Sequence, residues 1–244
     1  MIGFILAAGE GSRLRPYTAC VPKPMIDVFG RPILEYNVRA MVRAGIERII
    51  INTHYHPEVI RSHFGDGREF GAEISYSHES VLRGTSGALV PMRDELDRTM
   101  LVVYGDNLTD CPFADIVARH RSVSALATIA LYEREDVLAS GIVGIDDRDR
   151  VTRFLEKPRP ADVFSHWVNA GILVAEPSIF DFIPETGPSD FGRDVLPSIL
   201  AAGGHLAAYR MHDHLWWIDS IPDYERTLAD PALAAFARTE RSLA

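Results

Sequence analysis

The stretch Leu6 to Pro16, "LAAGEGSRLRP", directly follows an apolar run and combines residue types suited to holding an anion. Gly9 and Gly11 let backbone N–H groups approach a ligand closely, and Arg13 adds a fixed cation with a planar fork of donors. The spacing excludes two familiar phosphate loops. A dinucleotide fingerprint needs a third glycine where Leu14 stands, and a Walker loop needs Gly-Lys-Ser/Thr where Ser12 is followed by Arg13. A triphosphate fits the loop; a glycine-rich turn with solvated arginines is the competing reading. Lys23, held between Pro22 and Pro24, has a stiff backbone that delivers its ammonium to a defined place.

These residues need elements to position them, and the hydrophobic pattern supplies them. Short apolar runs alternate with amphipathic segments: "IGFILAA" as strand, 32–44 as helix, "RIIIN" as strand, 57–64 as helix, "AEISYS" as strand, 84–93 as helix, "MLVVYGD" as strand. This is the rhythm of right-handed βαβ units. After Asp110 the texture becomes strand-rich. "GIVGIDDRDRVTRFLE" reads as a hairpin turning at "DDRD", followed by "WVNAGILVAE", a helix near 189–203, a strand "HLAAYRM" and a final helix from about Pro222. The fold class expected is α/β, a Rossmann-like, mostly parallel central sheet flanked by helices, with a smaller mixed-sheet substrate portion. One domain over 1–244 is expected, in two halves, 1–110 and 111–230, the second adding the substrate portion. In such a sheet, ligands sit beyond the carboxyl ends of the strands.

Composition narrows the classes of function. Apolar residues make up 47% and charged residues 24%, the balance of a globular protein. A net charge of −9 argues against nonspecific binding to nucleic acid or an acidic membrane, so local basic clusters are read as sites. Cys20 and Cys111 lack metal spacing and are read as free thiols of a cytoplasmic protein, and the apolar N-terminal run lacks the flanks of a signal peptide. The histidines of "HYH" at 54–56 and "HDH" at 212–214 lack a third ligand cluster, so zinc is not expected. "LWW" before Ile218 is read as core and sheet packing.

Taken in order, "LAAGEGSRLRPYT", "PKPMIDVFGRPILEY", "HESVLRGTSGAL", "YGDN", "FLEKP", "VNAGI" and "WWIDSIPDY" resemble segments of the sugar-1-phosphate nucleotidyltransferases, the pyrophosphorylases that include mannose-1-phosphate guanylyltransferases. The resemblance implies attack of a sugar-phosphate oxygen on the α-phosphorus of a nucleoside triphosphate, with loss of pyrophosphate. It implies catalytic roles for Arg13, Lys23, Asp106 and Lys157, and nucleotide contacts at Leu6, Ala8, Gly9, Gly11, Ser12, Arg13, Lys23, Glu79, Gly84 and Thr85. It further implies sugar-phosphate contacts at Asp106, Gly141, Glu156, Lys157, Asn169 and Gly171, with Lys157 on the phosphate, and Mg²⁺ held by Asp106 and Asp219. The family usually has Asp-Ile-Gly before the next proline, whereas this chain reads Asp219-Ser220-Ile221-Pro222.

Glu79 stands where the family reads the edge of the base. An ionised carboxylate only accepts hydrogen bonds, and guanine offers two adjacent donors, N1–H and the 2-amino group, which favours GTP over UTP, dTTP, CTP or ATP. The same residue is equally placed to cap a helix starting near Gly84. The partners expected are a nucleoside triphosphate and a sugar 1-phosphate, with neither nucleic acid nor membrane, and a homo-oligomer is compatible. Cyclitol or heptose phosphates are alternative acceptors, as is phosphocholine, for which Trp167 near Asn169 offers an aromatic face. A turnover-silent nucleotide-sugar sensor is the non-enzyme alternative, although Arg13, Lys23, Asp106 and Lys157 are all present.

Overall fold

A computed structural model describes residues 1–242 of the chain. Nine strands form the main sheet. They are β1 (Ile2–Leu6), β2 (Arg48–Thr53), β3 (Glu73–His78), β4 (Met100–Tyr104), β5 (Ala127–Glu133), β6 (Gly141–Ile145), β7 (Val151–Glu156), β8 (Trp167–Ala175) and β9 (Leu206–Arg210). β1 lies between β4 and β2, and β3 follows β2, all four parallel. These strands are almost continuously apolar because both faces are covered. Phe4, Ile50 and Val102 enter one core, and Ile5, Ile49, Ile51, Leu101 and Val103 enter the other. Each such side chain fully withdrawn from water contributes about 1.5–3 kcal/mol.

The second half of the chain continues the same sheet. β8 runs antiparallel beside β4 through Ile172–Ala175 and pairs on its other edge with β5, while its first residues reach β6 through Val168 and Ile142. Between Asn169 and Leu173 the register against β5 slips by two residues. The bulge contains Gly171 at φ +70°, where an added Cβ would stand 2.5 Å from Asn107 Nδ2. That conformation and that contact both require glycine. β6 and β7 form the expected hairpin, closed by Asp146, whose carboxylate accepts from the N–H groups of Arg148 and Arg150.

Helices α1 (Ile33–Arg43), α2 (Pro57–Phe64) and α4 (Phe113–Val123) cover one face through Leu34, Val38 and Met41, Ile60 and Phe64, and Phe113 and Ile116. The helix expected over 84–93 is instead a single turn, α3 (Gly84–Gly87), followed by a 3₁₀ turn at Val90–Met92. Gly84 sits at φ +77° with its backbone pressed on Ser189, and Pro91 lacks an N–H, so a continuous helix cannot form there. The helix expected near 189–203 begins with a π-turn, Phe191–Val195, before α5 (Leu196–Ala201). The final helix is two, α6 (Ile221–Leu228) and α7 (Pro231–Ser242), because Pro231 starts a new first turn.

A smaller core joins the far ends of the chain. Leu14, Ile26, Ile33, Leu108, Trp216, Ile218, Tyr224 and Leu233 pack together, so the segment carrying Asp219 is pinned against the glycine loop. The strand Leu215–Trp217 adds to Asn107–Thr109 with Trp217 opposite Asn107, which brings residue 219 beside residue 106. Among the described residues, no helix is long and apolar enough to cross a membrane.

Candidate active site

The loops at the carboxyl ends of β1, β2, β3 and β4 enclose a cavity of about 250 Å³. Leu6, Ala8, Gly9, Lys23, Glu79, Gly84, Thr85 and Asp106, all singled out in the sequence, line it. Gly9 has open space where a side chain would stand, so nothing in the protein demands glycine there and the room is left to a ligand. Gly11 is different: at φ +65°, an added Cβ would come within 2.7 Å of Lys23 Cβ, so this glycine lets the loop pack on the lysine. Ser12 and Arg13 lie in an exposed 3₁₀ turn outside the cavity wall, and Arg13 reaches inward to Asp219 at 3.5 Å.

Lys23 is only 8% exposed, and its Nζ donates to Asp106 Oδ2 at 2.6 Å and to Asp219 Oδ1 at 2.7 Å. Burial opposes its charge, but the two carboxylates more than offset this and hold its pKa above the ordinary lysine value. Burial likewise pushes the Asp219 carboxyl up, and Lys23, then Arg13 and Arg134, bring it below the usual range. The missing glycine after Asp219 does not displace it. Ser220 caps α6 instead, its Oγ accepting from Asp223 N and donating to Asp223 Oδ2. Such a cap stabilises a helix by about 1 kcal/mol.

Glu79 is buried at the end of β3, and each of its oxygens already has a protein donor. Asn52 Nδ2 donates to Oε1, and Arg83 N donates to Oε2 at 2.7 Å. Asn52 in turn accepts from Ala7 N at 2.5 Å, so one relay ties together the ends of β1, β2 and β3. Glu79 therefore anchors the segment before α3 while lining the cavity, but it does not cap that helix: the first-turn N–H groups of Thr85 and Ser86 go to Asp190 Oδ1 and Ser189 O. Thr85 is fixed from the second half of the chain, with its Oγ1 donating to Asp190 Oδ1 and accepting from Phe191 N.

A second cavity, about 220 Å³, adjoins the first and shares Tyr104 and Asp106 with it. Gly141, Glu156, Asn169 and Gly171, which the sequence grouped as acceptor contacts, line it together with Asp219, which the sequence placed only on the metal. Asn169 Oδ1 accepts from Gly171 N at 2.9 Å inside the bulge. Asn107 Nδ2 holds the same bulge by donating to Ala170 O at 2.6 Å. Gly141 and Gly192 both back onto Glu156, since an added Cβ at either would stand 2.6 Å from Glu156 Oε2. Burial raises the Glu156 pKa, partly offset by the charges of Lys157 and Arg193 and reinforced by that of Asp190.

Lys157 departs from expectation. Its backbone is left-handed, φ 49°, its N–H donates to Ser140 O, and its side chain is exposed outside the lining of the cavity. Trp167 also lies outside the lining, with the Arg210 guanidinium 5.7 Å from its ring. Trp216 of "LWW" is core, as expected, but Trp217 lines the second cavity together with Tyr132 and Arg134. Sequence reading missed these three and also Asn52. The available signal was position: Asn52 closes an apolar strand and Arg134 follows one, at the sheet edge where ligands gather. His54 lies against Glu79 O and His214 against Asp110. Among the described residues, no three His, Cys, Asp or Glu side chains converge as a metal-binding group.

The arrangement is two adjoining cavities with a cation and two carboxylates at their junction. A mannose-1-phosphate guanylyltransferase of Mycobacterium tuberculosis is 36% identical over 229 residues, covering 93% of this chain and 63% of that protein. A UTP–glucose-1-phosphate uridylyltransferase of Synechocystis sp. is 34% identical over 240 residues, covering 92% and 61%. The chain thus spans about three fifths of the length of these curated relatives. A crystal structure of a candidate glucose-1-phosphate thymidylyltransferase from Bacillus anthracis, in complex with a sucrose, superposes with a TM-score of 0.84 at 26% identity over 94% of each chain. Residues 2–220, which include the glycine loop, both cavities and the clamp of Asp106 and Asp219 on Lys23, match the family described as Nucleotidyl transferase, and the chain belongs to that family.

Proposed function

We propose that the protein joins a nucleoside triphosphate to a sugar 1-phosphate, forming an NDP-sugar and pyrophosphate. The observation that carries this reading is the pair of cavities sharing Asp106, with Lys23 clamped between Asp106 and Asp219 where they meet. The first half of the chain supplies the nucleotide cavity, and the strands after residue 110 supply most of the acceptor cavity. In the reaction, an acceptor phosphate oxygen forms a bond to the α-phosphorus as the bond to the β-phosphate oxygen breaks in line.

The nucleophile is already an anion at neutral pH, so no general base is required. What the site must supply is alignment and positive charge. Lys23, whose raised pKa keeps it charged, faces the α-phosphate, and Arg13 on the exposed turn meets the departing phosphates. Glu156 and the NH₂ of Asn169 bind sugar hydroxyls, and Lys157, whose charge acts on Glu156, adds positive charge for the acceptor phosphate. Nucleotidyltransferases generally use a divalent cation. Asp106 and Asp219 fit that role, because they already converge on one cation, the Lys23 ammonium. Two carboxylates, with phosphate oxygens and waters, suit Mg²⁺, which when bound neutralises phosphate charge in the transition state.

We favour GTP as the nucleotide because the Glu79 carboxylate, an obligate acceptor, lines the first cavity and suits the two adjacent donors of guanine. The test is a pyrophosphate-release screen of GTP, UTP, dTTP, CTP and ATP against a panel of sugar, heptose and cyclitol phosphates with Mg²⁺. Release that requires both substrates supports the reading. No release with any pair defeats it.

A further inference from the structure

Asn52 follows three consecutive isoleucines in β2, is only 2% exposed, and lines the first cavity beside Glu79. A buried amide is tolerated when its hydrogen bonds are made, and here its neighbours dictate which atom makes each one. Ala7 N, a backbone group that can only donate, meets Asn52 Oδ1 at 2.5 Å. The amide oxygen therefore faces the loop after β1, and the NH₂ group turns to the end of β3, where Nδ2 donates to Glu79 Oε1. The other oxygen, Glu79 Oε2, accepts at 2.7 Å from Arg83 N, a second group that can only donate. Neither neighbour offers Glu79 a lone pair. What its carboxylate presents to the cavity is acceptor capacity on both oxygens.

We propose that Asn52 is a positioning residue for base choice: by donating to Glu79 it fixes that carboxylate as a pure acceptor, matched to a base edge with two neighbouring donors. This rests on the nucleotidyltransferase reading, with Glu79 meeting the base, and deepens it. The polarity originates in a backbone N–H two residues before Gly9, so the glycine loop and the base-reading side chain are parts of one hydrogen-bonded unit. The same polarity makes Glu79→Gln a frustrated change. Its new NH₂ group must face either Asn52 Nδ2 or Arg83 N, donor against donor. Asn52→Asp removes one of these conflicts, because the introduced aspartate keeps the shape, still accepts from Ala7 N, and offers an acceptor where Asn52 offers a donor. In the double variant the introduced glutamine shows the cavity one N–H and one lone pair, the pattern that a carbonyl and the N3–H of uracil or thymine complement.

The test measures kcat/KM for GTP, ITP, UTP and dTTP, with the acceptor selected by the screen, in wild type, Asn52→Asp, Glu79→Gln and the double variant. Asn52→Asp alone sets two carboxylates against each other and should lower the preference for GTP over ITP at least about fivefold. Added to Glu79→Gln, the same substitution should instead raise kcat/KM for UTP or dTTP at least about fivefold and raise the melting temperature. This reversal of sign separates positioning from mere support of the fold, since a supporting side chain would weaken all nucleotides alike and be harmful in both backgrounds. If Asn52→Asp does not fold, the double variant compared with Glu79→Gln carries the test by itself. A GTP-to-ITP ratio unchanged in Asn52→Asp, harm in both backgrounds, or a wild type that does not distinguish GTP from ITP overturns the proposal while wild-type turnover keeps the broader reading. A wild type inactive with every pair of substrates overturns both.

Discussion

Lys23 Nζ and Asp106 Oδ2 lie 2.6 Å apart, and the same ammonium lies 2.7 Å from Asp219, so Lys23 occupies the space between the two carboxylates that would hold a divalent cation. Lysine and metal compete for one pair of anions. Lys23→Met should therefore bind Mn²⁺ in the absence of nucleotide at least about tenfold more tightly than wild type, since a unit charge at ~4 Å and an effective dielectric near 20 is worth about 4 kcal/mol before compensation. Electron paramagnetic resonance of free Mn²⁺ reads this directly. Equal affinity in the two proteins would show that the metal binds elsewhere.

Asp106→Asn and Asp219→Asn keep the side-chain shape and remove the charge. Both should fold, with pyrophosphate release reduced at least about a hundredfold at ordinary Mg²⁺ levels. A loss confined to Asp106→Asn would mean that Asp219 serves only to position Lys23.

Glu79 provides the test of base choice. Each oxygen holds one protein donor and keeps a lone pair, so the wild type should prefer GTP over ITP, which lacks the 2-amino group, by roughly five- to hundredfold in kcat/KM. Glu79→Gln should erode that preference and admit UTP or dTTP. A wild type that already prefers UTP, dTTP or ATP would limit Glu79 to anchoring the segment before α3.

Glu156 sets function against stability. Burial raises its folded-state pKa above the unfolded value, so its stabilising contribution is complete below the unfolded value and disappears as pH rises through the raised one. Thermal melts should show Glu156→Gln gaining stability relative to wild type over that interval and holding the gain at neutral pH. The same variant should use the acceptor poorly. A melting difference that is independent of pH would contradict the assigned environment.

Much of the site is legible along the chain. The ends of β1 and β4 carry the glycine loop and Asp106, the "DDRD" hairpin closes where its acidic turn requires, and Ile33–Arg43 follows its apolar stripe. These features depend on backbone periodicity and turn chemistry, which act over a few residues. The 84–93 segment shows the limit of that reasoning, because the approach of Ser189 to Gly84, from a hundred residues away, shortened the helix.

The sequence by itself determined the α/β alternation, the glycine loop after β1 and which carboxylates and cations were available. Only the tertiary structure decided their company. Lys23 meets Asp219 across 196 positions because Leu14 and Ile218 share a small core and Trp217 pairs with Asn107. Arg134 lines the second cavity and Lys157 does not because β5 and the Leu215–Trp217 strand converge there, while the lysine that follows the β6–β7 hairpin is left exposed. Strand neighbours and helix packing arise from burial summed over the whole chain, and no local period encodes which distant side chains that burial brings into contact.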